Sequence, residues 1–158
     1  MPKAALPDPE RLRAANINPS TGLATDYLNH YNEIAMLIAG LSDLPEAREE
    51  VLSWRPVGYA AHFHMTGFSQ RDLAIAAYEA VPSEVRTRFL AARRKLELAI
   101  MDVQDLIETR PDAMSHLAES APRIFDAIAR LGGVINGEAG EGAAQLGTTQ
   151  SSVDSLFS

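Results

Sequence analysis

Apolar residues in this chain recur every three or four positions and almost never alternate, and that period constrains the fold most. The longest instance runs Val85, Phe89, Ala92, Leu96, Ala99 or Ile100, Val103 and Leu106 or Ile107, about six turns at 3.6 residues per turn. Alanine and leucine dominate, and runs of β-branched residues that would favour strands are few. The spacing predicts an all-α fold, a helical bundle built on one long central helix from Pro82 to about Arg110.

Other elements follow from the same period and from proline and glycine. Leu23, Tyr27, Tyr31, Ile34, Ile38 and Leu41 predict a first long helix over about 23–41. Pro45 suits the first turn of a second helix that ends before Arg55-Pro56. Residues 57–81 read as two shorter helices broken near Gly67, with Ser69 and Asp72 placed as a cap pair. A last bundle helix restarts at Ser120-Ala-Pro122 and is expected to stop at Leu131, before Gly132-Gly133. The organisation expected is a loose segment over 1–20, a bundle over 21–132, a flexible acidic Gly-rich linker over 133–147 and a short amphipathic helix over 148–158.

Composition removes whole classes of function. There is no cysteine, hence no disulfide, thiolate metal site or cysteine nucleophile. Fourteen Lys and Arg against 21 Asp and Glu give a formal charge of −7, which argues against a surface that must neutralise nucleic-acid phosphates. No apolar run approaches the roughly 20 residues of a membrane span, and the prolines near Met1 leave no room for a signal sequence. A cytoplasmic protein without membrane or nucleic-acid partners and without cofactors is expected, with a homodimer open as an alternative. No Gly-rich phosphate loop or nucleophile elbow appears, so a non-enzymatic role is favoured.

One polar constellation stands out. Asp26, His30 and Glu33, spaced i, i+4 and i+7, would lie along one helix face and could offer three ligands to a cation or an acid–base group. His62 or His64 could face them from another helix, but not both, because two residues are about 200° apart on a helix. Ordinary boundary packing of His30 is the competing reading. Arg86, Arg88, Arg93, Arg94 and Lys95 form a basic run in the first half of the long helix, read as a solvated face or a docking patch for an acidic partner. The aromatic side chains Trp54, Tyr59, Phe63, Phe68, Tyr78 and Phe89 place the core in the middle third.

The end of the chain carries a different signal. Val153, Leu156 and Phe157 have the i, i+3, i+4 spacing of a helix that binds in a groove. The stretch Thr149-Gln150-Ser151-Ser152-Val153-Asp154-Ser155-Leu156-Phe157 resembles the short peptides with which the flagellar switch protein family FliM and the chemotaxis phosphatase family CheZ hold the response regulator CheY. The resemblance implies a receiver-domain partner, with Val153, Leu156 and Phe157 as apolar anchors, Gln150 as a capping-side contact and Asp154 as the charged one. Gln104-Asp105-Leu106 also resembles part of the phosphatase family's working helix, with Thr109 where that family places a water-orienting glutamine. The expected function is therefore that of an adaptor or regulator in bacterial signalling, chemotaxis or flagellar control; the alternative is a metal-binding or hydrolytic bundle using Asp26, His30 and Glu33 with His62 or His64.

Overall fold

The computed structural model describes residues 5–110, 112, 117 and 119–138. Among them the fold is all-α: α1 (Pro9–Ala14), α2 (Leu28–Ala39), α3 (Arg48–Ser53), α4 (Tyr59–Met65), α5 (Arg71–Glu79), α6 (Ser83–Thr109) and α7 (Ala121–Ile135), with 3-10 turns at Thr25–Tyr27 and Pro45–Ala47. Helix α6, at 27 residues, is the scaffold. It packs along α7, and α7 packs along α2, while α4 and α5 fold against one another. No helix is long and apolar enough to cross a membrane among the described residues.

The stripe read for α6 faces inward: Phe89, Leu96, Ala99, Ile100, Val103 and Ile107 are buried. Tyr27, Tyr31, Ile34 and Ile38 do the same from the α2 side. Six turns of matched apolar face explain why a helix this long stays attached along its length, since packing rather than propensity supplies most helical stability. Gly67, with φ +69°, makes the break between α4 and α5 in a conformation that L side chains avoid. Helix α5 starts from Gln70, and no side-chain cap bond closes its first turn, so the Ser69/Asp72 capping pair is not formed.

Three boundaries differ from expectation. The first long helix begins late, because Ala24 is extended (φ −116°, ψ 137°) and bridges Ile17. Its N–H donates to the Tyr59 hydroxyl at 2.8 Å, which ties the extended Ala24 to α4. Second, the segment 1–20 is not loose over its described part: α1 seats Leu12 in the core, and Asn16 at φ 61° turns the chain so that Ile17 is buried too. Third, α7 runs through Gly132 and Gly133 to Ile135, so the domain does not end at 132. Gly132 is a close-packing residue, since a Cβ there would stand 3.3 Å from the Leu28 side chain. Residues 139–147 of the expected linker, and the expected helix over 148–158, lie outside the described residues.

Candidate functional site

The polar groups of interest gather where the 3-10 turn Thr25–Tyr27, α2 and α4 meet. Because Asp26 sits in that turn and not on α2, its side chain leaves the α2 face and meets α4, where the His62 Nε2 lies 3.0 Å from Asp26 Oδ2. His62 is buried, and its ring stands edge-on to Tyr27 (5.5 Å) and Phe63 (4.9 Å). A buried imidazole oriented by a carboxylate can accept or deliver a proton without turning. Among the described residues no hydroxyl is hydrogen-bonded to it, so the pair lacks the nucleophile of a hydrolytic triad.

His30 points another way. Its ring stacks on Trp54 (centroids 4.6 Å apart, 24° between planes) and meets Tyr31 edge-on. The His30 Nε2 and Trp54 Nε1 atoms are both buried without a hydrogen-bond partner. Burial lowers the His30 pKa below its ordinary value, so the neutral ring is the folded form. An open cavity of about 310 Å³ is lined by Asn29, His30, Glu33, Val57, His62, Met65 and Thr66. Two of its walls are imidazoles, which is the part of the sequence-based constellation that the fold does assemble.

The cation-binding arrangement read from the spacing is not assembled among the described residues. Asp26, His30, Glu33 and His62 share a neighbourhood, yet no three or more such side chains are grouped so as to hold an ion among the described residues. The one-face argument assumed a helix through Asp26; the 3-10 turn and the extended Ala24 rotate that carboxylate out of line. His64 is exposed and does not face the cavity, in keeping with the angle between it and His62.

Sequence reading missed a second polar cluster below this one. Tyr31 donates to Glu97 Oε2 at 2.6 Å, and Arg93 Nε lies 3.8 Å from the same oxygen. The single Tyr27 hydroxyl proton serves the Val57 carbonyl at 2.7 Å or the Tyr31 oxygen at 3.0 Å. Burial raises the pKa of Tyr27, Tyr31 and Tyr59, so all three stay protonated; Tyr27 and Tyr31 donate, and the Tyr59 oxygen accepts from the Ala24 N–H. Their i, i+4 spacing gave Tyr27 and Tyr31 away as a pair, but nothing in one sequence says that Glu97 lies opposite them. The basic run is likewise partly consumed: Arg86 covers the Tyr78 ring at 4.5 Å, Arg93 reaches Glu97, and Arg88 donates to the Glu138 carbonyl at 2.7 Å. Gln104 gives its amide to the Val51 and Trp54 carbonyls, both at 2.9 Å, which assigns it to holding the end of α3.

The partly buried His30 has a consequence for pH. Its folded pKa lies below the unfolded value of 6.5, so the unfolded chain binds the proton more tightly and stability increases with pH across that interval. The contribution is complete above the unfolded value and is lost as pH falls through the folded one. Denaturant midpoints at about pH 7.5 and about pH 5 should therefore differ more for the native chain than for His30→Gln. Equal differences would refute the assignment.

No family model matches the chain, and no curated protein or solved structure matches it.

Proposed function

We propose that the chain is a non-enzymatic adaptor or regulator of bacterial signalling that holds a protein partner, a response-regulator receiver domain, through residues 148–158. The observation that carries this reading is the residue pattern itself: Gln150, Val153, Asp154, Leu156 and Phe157 supply the apolar and charged positions of a helical docking peptide. By sequence, Gly140, Gly142 and Gly147 with Glu141 suit a tether that lets a short ligand search for its groove.

The test is binding of the full chain to a purified receiver domain, with and without beryllofluoride as phosphoryl mimic, followed by fluorescence anisotropy. Leu156→Ala with Phe157→Ala should weaken binding by about 10- to 100-fold, since two buried anchors carry much of such an interface. A labelled 146–158 peptide that binds its own bundle and no receiver would overturn the proposal.

A further inference from the structure

Helix α6 has a second apolar stripe on the side opposite its core face. Leu90, Leu98 and Met101 are 39%, 42% and 53% exposed. With Arg94 and Asp105 they follow spacings of four, four, three and four residues, which confines all five to an arc of about 80° at 100° per residue. Phe89, Leu96, Ile100, Val103 and Ile107 occupy the other side and are buried. Single exposed apolar side chains are ordinary; three aligned on the longest helix form a seam.

Charge along the helix is divided in a way that selects the occupant. The first half holds Arg86, Arg88, Arg93, Arg94 and Lys95, and the second half holds Glu97, Asp102, Asp105 and Glu108, with Glu97 engaged by Tyr31 and Arg93; Glu84 is the exception. A surface that is positive at one end and negative at the other is complementary to itself when reversed. We infer that α6 pairs antiparallel with α6 of a second copy of this chain, about a two-fold axis near the level of Ala99 and Ile100. In that register Leu98 meets the partner's Met101, Met101 meets the partner's Leu98, and Arg94 meets the partner's Asp105 at both ends of the apolar centre. The interface is isologous, as closed dimers require, and its rim is charged while its centre is apolar. Helix α6 is about 40 Å long at 1.5 Å per residue, so the pairing can run along most of its length.

Sedimentation equilibrium on the full chain from about 5 to 200 µM tests this. The native chain should dimerise reversibly, and Leu98→Glu should raise the dissociation constant at least about tenfold. Arg94→Asp should do the same, because it places two carboxylates opposite one another, and the double variant Arg94→Asp with Asp105→Arg should restore association. All these positions are solvent-facing, and unchanged circular dichroism confirms that each variant is folded. Met36→Glu, on a separate exposed apolar patch with Leu44, should leave association unchanged. A native chain monomeric throughout, a dimer indifferent to Leu98→Glu, a dimer lost with Met36→Glu, or a double variant no better than Arg94→Asp would each overturn the inference.

Discussion

Replacing Phe89 by alanine should reduce the free energy of unfolding by about 3–5 kcal/mol, the upper range for removing a buried aromatic side chain. Phe89 is fully buried, and its ring lies 5.9 Å from those of Tyr27 and Tyr59 and 6.1 Å from that of Tyr78. The cavity left behind could shrink only if those neighbours moved into it. They are held: the Tyr27 hydroxyl is bound to the Val57 carbonyl, the Tyr59 hydroxyl accepts from Ala24, and Tyr59 stacks on Tyr78 at 4.5 Å. Arg93, which covers the Phe89 ring at 5.8 Å, would lose that surface as well. Urea unfolding followed by circular dichroism measures the loss, with an unchanged slope showing that the same folded state is being compared. A loss under about 1.5 kcal/mol would mean that the cluster repacks and is not the rigid centre described.

Gly22→Ala should cost about 2–4 kcal/mol, combining left-handed backbone strain with overpacking. Gly22 has φ +80°, and an added Cβ would lie 2.7 Å from Leu6 Cδ2 and 3.0 Å from the Ala77 carbonyl oxygen. The leucine methyl can swing aside; the α5 carbonyl cannot move without its helix. Gly67→Ala is the control, because Gly67 has φ +69° but a Cβ there meets nothing within 4 Å. It should lose only the conformational part, about 1 kcal/mol. Equal losses at the two positions would show that the close approach to α5 carries no energetic weight.

How far the sequence anticipated this structure depends on whether a feature is local. The α6 stripe and the α2 stripe were legible because a helix in contact with a core repeats the same demand every turn. The seat of Leu12 and Ile17 was not, since it depends on a left-handed Asn16 and on a bridge to Ala24 that tight prolines conceal. Gly132 and Gly133 read as linker by composition, whereas Gly132 is needed for the approach of Leu28. At the candidate site, one 3-10 turn changed the outcome: it aimed Asp26 at His62 and left His30 to stack on Trp54. Such rotations are fixed by tertiary contacts, which a linear spacing argument cannot carry. The anchors at 153, 156 and 157 lie outside the described residues and rest on sequence.

The end of α7 is fastened by residues of the N-terminal turn and of α6. Thr21 Oγ1 donates to the Ile135 carbonyl at 2.6 Å, Asn18 Nδ2 to the Asn136 carbonyl at 3.3 Å, and Arg88 to that of Glu138. These three carbonyls belong to the last turn of α7 and the residues just past it, where helical partners run out. Mechanically, load applied to the chain beyond Glu138 enters the domain in shear across the Asn18–Thr21 turn as well as along α7. The chain at Asn136 to Glu138 is thus moored to the N-terminal turn and to the basic half of α6, and clipping residues before Thr21 would slacken that mooring.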